Sequence, residues 1–281
     1  MEINQSELSG PKELLEGPSG TGKTWAIGTM VDWAQAHNKQ VFCLFVEQGL
    51  ETLLGYWMDK GAAVPECLHW HQQLTKPIGL SELITGADNV ARLSYESLTK
   101  LTDATRAQNN VFKGILQSCS DFPDDRTGQK FGAVDSWDTS RIFALDSLSE
   151  LSNAAAKMTI GNKPMMSQPE YLVTQNNIMN FLRLLTQGCR CTVLLTAHVQ
   201  RQQDEVVGSI RLMTKAIGKA IADDIPPLFS DVIYSVREGT NFYWETAAAN
   251  VDTKARNLPI QSKLPVDFAQ VMNKWQSRGG K

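Results

Sequence analysis

The chain has 281 residues, a formal net charge of −3, and hydrophobic and charged shares of 42% and 20%, which suit one large soluble α/β domain. No apolar run approaches the roughly 20 residues that span a bilayer, so a membrane partner is not expected. The mild acidity gives no global attraction to nucleic acid, and any such binding needs a local basic surface.

Met1 to Gly10 is polar and carries no signal-peptide core. Five cysteines (Cys43, Cys67, Cys119, Cys189, Cys191) are an odd number. Three of them sit in apolar, strand-like stretches, which predicts a reduced, cytoplasmic setting. Lys12 to Glu16 is the first strand candidate. It runs into Gly17-Pro18-Ser19-Gly20-Thr21-Gly22-Lys23-Thr24, which fits G-x-x-x-x-G-K-[ST] at every fixed position. Trp25 to Ala36 follows with Ile27, Met30, Val31 and Ala34 at helical spacing. Gln40 to Val46 reads as a buried strand ending at Glu47. Leu50 to Met58 reads as a short helix and Cys67 to Gln72 as a strand. Leu80 to Leu116 is helical in pattern, as two helices. Asp121 to Ser136 is broken by Pro123, Gly128 and Gly132 and reads as loop.

Arg141 to Leu145 is a further apolar strand, ending at Asp146-Ser147. Leu148 to Met158 reads as helix, Gly161 to Pro169 as a break, and Tyr171 to Leu185 as helix. Cys191 to Thr196 is another buried strand, ending at Ala197-His198. Gln200 to Pro227 is polar without a strong period. Asp231 to Val236 and Phe242 to Glu245 pair as a hairpin through Glu238-Gly239-Thr240-Asn241, and Asn250 to Arg256 is a further strand candidate. Alternating strands and helices predict an α/β fold: a mostly parallel sheet, helices on both faces, and a C-terminal β-hairpin. Residues 1–257 form the expected core. Residues 258–281 form a tail with a short amphipathic helix, whose Phe268, Met272 and Trp275 stripe is expected to pack on its own domain.

The glycine-rich stretch has a chemical reason. Its glycines let backbone N–H groups converge on phosphate oxygens. Lys23 can reach the β- and γ-phosphates, the Thr24 hydroxyl can hold Mg²⁺, and the next helix points its positive end at the same anion. The nucleotide-binding set is therefore Gly17, Pro18, Ser19, Gly20, Thr21, Gly22, Lys23 and Thr24, with Trp25 adjoining. Hydrolysis also needs a carboxylate near the metal and a group to orient water. In parallel sheets these sit at carboxyl ends of strands, where this chain has Glu47, Asp146 and His198. Asp146 suits Mg²⁺, or alternatively caps the next helix. Glu47 suits a water-activating base, or is a solvated loop residue. His198 suits a sensor of the terminal phosphate, or is structural. Cys67, His69 and His71 share a strand face, but their spacing fits no common zinc module, and a structural strand is the expectation.

This set and its order resemble the RecA-like P-loop ATPase core in its compact phage form, found in nucleotide-binding proteins of single-strand annealing and recombination. The matching stretches are Gly17 to Thr24, Phe45-Val46-Glu47, Phe143-Ala144-Leu145-Asp146-Ser147, Leu195-Thr196-Ala197-His198 and Lys254-Ala255-Arg256. RecA itself carries Gln where this chain has His198, and it has flanking domains for which this chain has no room. The resemblance implies an ATPase using ATP and Mg²⁺, acting on single-stranded DNA as a ring or filament of its own copies. It places the chain in host cytoplasm and adds a single-strand-binding protein as a partner. It implies that Lys254 and Arg256, on one face of a strand, reach a neighbouring subunit's nucleotide. A solvated edge strand is the alternative. No arginine is evident beside the chain's own loop. The resemblance also implies two DNA loops, residues 158–170 with Lys163, and residues 199–226 with Arg201, Arg211, Lys215 and Lys219. Other readings are a ring-type helicase or packaging motor, and a nucleotide-gated scaffold with little hydrolysis.

Overall fold

Strands of a parallel sheet are covered on both faces and are built from nearly continuous apolar runs. Three such runs, β2 (Gln40–Phe45), β4 (Arg141–Asp146) and β5 (Thr192–Ala197), form the centre of the sheet with β1 (Lys12–Glu16), which is fully buried although Lys12, Glu13 and Glu16 are charged. The computed structural model describes residues 8–75, 79–94, 97, 110–161, 163, 165–203 and 210–281. Around the centre lie β3 (Leu68–Gln72), β8 (Asp231–Glu238) and β9 (Asn241–Glu245). Among the described residues the sheet has seven strands in the order β3-β2-β4-β5-β1-β8-β9. Neighbours are parallel except β8 and β9, which form the expected hairpin.

Alternate residues of each strand serve opposite faces. Phe42, Leu44, Phe143, Leu145, Val193 and Leu195 pack under α4 (Val111–Ser120), α5 (Leu148–Ile160) and α6 (Gln168–Arg183). Val41, Cys43, Phe45, Ile142, Ala144 and Leu194 pack under α1 (Lys23–Ala36), α2 (Leu50–Met58) and α8 (Ala269–Ser277). Two helices of the first face start at side-chain caps. Ser147 accepts from the Glu150 N–H at α5, and Ser167 with Glu170 forms a capping box at α6. A further helix, α3 (Leu80–Ala91), has no buried residue. The stretch from 95 to 109 falls almost wholly outside the described residues, so the boundary expected between two helices there does too.

Two expectations change. Residues 199–226 contain an antiparallel pair, β6 (Val199–Gln203) and β7 (Ile210–Thr214), and then α7 (Lys219–Asp224), where the polar sequence shows no period. Residues 250–256 form no strand: single bridges join Val251 to Leu212 and Lys254 to Val232. The C-terminal stripe packs on its own domain as expected, with Leu258, Leu264, Phe268, Val271, Met272 and Trp275 buried in the same cluster as α1. At β3, His69 and His71 each pair with a carboxylate, Asp124 at 3.0 Å and Asp125 at 2.8 Å. Among the described residues no helix is long and apolar enough to cross a membrane.

Candidate functional site

The glycine-rich loop leaves β1 between β5 and β8, and both neighbours brace it. The Gly17 N–H donates to the Ala197 carbonyl at 3.1 Å, and the Ser235 hydroxyl donates to the Thr21 carbonyl at 2.7 Å. A Cβ on Gly17 would stand 2.6 Å from the Ser235 carbonyl oxygen, so only glycine fits. Gly20 and Gly22 adopt φ of 75° and 83°, which glycine reaches without strain. Lys23 opens α1 and folds back, with Nζ donating to the carbonyls of Gly17 at 2.9 Å and Pro18 at 2.8 Å. Burial lowers its pKa to about 8, against the pull of Asp146, Glu47 and Glu16.

Asp146 ends β4 and is buried beside the loop. One carboxylate oxygen accepts from the Thr24 hydroxyl at 2.6 Å and the other from the Thr196 hydroxyl. Burial raises its pKa, while the two hydroxyls and Lys23 act the other way. Ser147, not Asp146, caps α5, so the cap does not account for the aspartate. The Asp146–Ser147 peptide is cis. A Cβ on Gly49 would come within 2.8 Å of Asp146 Oδ2, and glycine keeps that side of the carboxylate clear. The Thr24 hydroxyl and the Asp146 carboxylate are hard oxygen donors of the kind Mg²⁺ takes, so they fit that ion.

Glu47 follows β2 and His198 follows β5. Their side chains meet, His198 Nε2 to Glu47 Oε2 at 3.5 Å, with both about a quarter exposed at 24% and 29%. The His198 hydrogen bond is the main cause that lowers the Glu47 pKa, so the carboxylate is ionised at neutral pH. The strand order β2-β4-β5-β1 thus sets Glu47, Asp146, His198 and the loop at one end of adjacent strands.

Lys254 and Arg256 lie at the other end. Lys254 bridges to Val232, near the start of β8, and its Nζ donates to the carbonyls of Pro227 and Phe229 at 3.2 and 2.5 Å. The backbone N–H of Arg256 donates to Asp231 at 2.6 Å, and its side chain is exposed. The five DNA-contact candidates are not alike. Lys163 pairs with Glu170 at 2.9 Å, and Arg211 pairs with Asp252 at 2.6 Å and Asp223 at 3.4 Å. Arg201 and Lys215 are exposed and lack a carboxylate partner among the described residues. Lys219 opens α7.

The sequence reading missed several groups. The base of the β6–β7 pair is tied to the site: the Lys215 N–H donates to the His198 carbonyl at 2.8 Å, and the His198 N–H donates to Ser149 Oγ at 2.9 Å. Arg237 and Phe242 of the β8–β9 hairpin stand beside the loop. A Cβ on Gly20 would be 4.0 Å from Arg237 Nη1, and one on Gly22 would be 3.3 Å from Phe242 Cδ1. The chain therefore does carry an arginine beside its own loop, which sheet order alone reveals.

Glu16, the last residue of β1, is fully buried and accepts from Thr214 Oγ1 at 2.7 Å. A carboxylate ending the strand candidate directly before the motif was the available signal. Burial is the main cause that raises its pKa from 4.5 to about 7. Folded Glu16 thus keeps a proton that the unfolded chain releases near 4.5. Its stability penalty is absent at lower pH and grows until about pH 7, reaching about 3 kcal/mol. Glu16→Gln removes this penalty and keeps an acceptor for Thr214. Its stability relative to wild type should rise by about 2 kcal/mol between roughly pH 5 and pH 8 in denaturant melts. A difference that does not vary with pH would show that Glu16 is not protonated in the folded chain.

No protein-family model matches the chain, and no curated protein matches it.

Proposed function

We propose that the chain is a RecA-like ATPase that binds and hydrolyses ATP with Mg²⁺ and acts on single-stranded DNA, in phage recombination or annealing. The observation that carries this reading is the convergence at one sheet end of four parts: the braced glycine-rich loop, Lys23, the Thr24–Asp146 pair and the Glu47–His198 pair.

Each residue has a task that its surroundings support. The loop N–H groups and the start of α1 hold phosphate oxygens. Lys23 turns from the loop carbonyls to the phosphates, and that charge reverses the burial that lowers its pKa. Thr24 and Asp146 hold Mg²⁺, which when bound neutralises charge on the phosphates. Glu47, ionised and partly exposed, orients and deprotonates the attacking water. His198 holds Glu47 on one side and directly precedes β6 on the other. Its carbonyl bond to the Lys215 N–H couples the site to the β6–β7 pair, beside which Arg201 and Lys215 face solvent.

The test is ATP turnover with and without single-stranded DNA at fixed salt. Turnover should require Mg²⁺ and rise about tenfold or more with DNA, a change of roughly 1.4 kcal/mol in barrier. Turnover indifferent to DNA would favour the scaffold reading, and none under either condition would end the enzyme reading. DNA binding has its own signature. Replacing Arg201 and Lys215 by Ala should flatten the slope of log affinity against log salt by about 1.4, at roughly 0.7 per lost single-strand phosphate contact. An unchanged slope would move the DNA site off the β6–β7 pair.

A further inference from the structure

The loop has two flanks, and they differ in chemistry. On the β5–β4–β2 flank stand the Thr24–Asp146 pair and the Glu47–His198 pair, which suit a metal and the reacting end of a phosphate chain. On the β8–β9 flank the polar machinery gives way to an aromatic ring and a guanidinium. A phosphate chain wrapped by the loop, with its reacting end at the first flank, brings its nucleoside end out at the second.

Resting on the nucleotide reading above, we propose that the β8–β9 hairpin holds the base of the bound nucleotide, with Phe242 as the stacking platform and Arg237 as the residue that fixes the ring. Phe242 lies against Gly22, and 45% of it is exposed, so its ring offers open area directly beside the loop. The Arg237 guanidinium lies 5.4 Å from the centre of that ring, within cation–π range. Arg237 is itself held, with Nε donating to the Gly239 carbonyl at 2.9 Å. The hairpin is anchored to the loop through Ser235 and Thr21, so ring and loop keep their spacing. A ring with a cation along it and open area beside a phosphate cradle is what an aromatic base needs.

The other ring near the loop is Trp25, 38% exposed at the start of α1. It meets Tyr56 edge-on at 4.6 Å, and the Lys60 ammonium sits 5.4 Å from its centre. Trp25 is thus engaged with α2 and its end, and it serves as the competing wall in the test.

Calorimetric binding of Mg-ATP and of Mg-tripolyphosphate separates base contacts from phosphate contacts. Phe242→Ala should weaken ATP by about tenfold, within the range that one stacked base commands, and should change tripolyphosphate by less than about twofold. Phe242→Tyr should restore ATP binding. Lys23→Ala should weaken both ligands. Unchanged ATP affinity in Phe242→Ala, or an equal loss for both ligands, overturns the proposal, as does a selective ATP loss in Trp25→Ala instead. Failure of the nucleotide reading looks different. Wild-type protein would then bind neither ligand, or Lys23→Ala would bind both as well as wild type, and the base platform would fall with it.

Discussion

Lys23→Ala should lose ATP turnover by about 10²–10³-fold or more, the scale of removing one preorganised donor to a developing oxyanion. The ammonium sits at the mouth of the loop, where its present partners are the neutral carbonyls of Gly17 and Pro18. Those carbonyls are placeholders that an anion outcompetes, since a phosphate brings full charge to a buried cation. The pKa gives a second signature. Free Lys23, lowered to about 8 chiefly by burial, is partly neutral above that pH. Bound phosphate favours its charged form, so binding takes up a proton at high pH. Wild-type affinity for ATP should therefore fall as pH rises through about 8, by up to tenfold per unit, and Lys23→Ala should lose that dependence. Melting is measured alongside turnover, because Lys23 also holds the Gly17 and Pro18 carbonyls and faces Asp146, Glu47 and Glu16, and a folded variant is required for the turnover comparison. Turnover at the wild-type rate in Lys23→Ala would remove the central assignment.

What the sequence made legible follows from the range of the forces involved. The loop is local: its glycines, Lys23 and Thr24 are fixed by a few residues' backbone geometry. The central strands are nearly as local, because a strand buried on both faces reads as an almost continuous apolar run, as β2, β4 and β5 do, while the mostly charged β1 is placed at Lys12–Glu16 by the loop that follows it. Glu47, Asp146 and His198 were recognisable because each ends such a run. Their meeting was not, because it depends on β5 lying between β1 and β4, which only long-range pairing sets. The β6–β7 pair was hidden for another reason. Its residues are mostly polar, and its ends are held by tertiary bonds, Thr214 to Glu16 and the Ser149 hydroxyl to the Lys215 carbonyl at 3.0 Å. The strand expected at 250–256 reduces to single bridges at Val251 and Lys254. At its end Asp231 Oδ1 takes the Arg256 N–H, together with those of Asn257 and Leu258 just beyond, so the ladder does not continue there. Arg237 escaped notice because its nearness to Gly20 is a property of the hairpin's place in the sheet.

Arg256→Ala should bind ATP almost normally yet lose hydrolysis, by roughly 10³–10⁵-fold if its guanidinium acts as an arginine donated in trans. Arg256 cannot serve its own loop, since it lies by the start of β8 and the loop lies at the other end of the sheet. Arg237 does stand beside its own loop, but on the hairpin flank, away from Asp146 and Glu47, so the metal flank still lacks an arginine among the described residues. The surroundings of Arg256 suit an anion brought by another copy. It borders a cleft of about 590 Å³ lined also by Lys12, Lys254, Arg278 and Trp275, with no Asp or Glu in the lining among the described residues. Lys254 is tied to two carbonyls and Arg278 to Asn257 Oδ1 at 3.0 Å, whereas the Arg256 side chain has no partner among the described residues. A neighbour's phosphates docked there would complete the charge set that one subunit lacks, and hydrolysis would then depend on assembly. Mixing Arg256→Ala with Lys23→Ala should restore activity, because some interfaces then pair an intact loop with an intact arginine. The measurement is specific activity against protein concentration, for wild type and for that mixture. Activity per subunit that stays constant down to a demonstrably monomeric concentration, with no recovery on mixing, would leave Arg256 as an exposed charge beside the cleft.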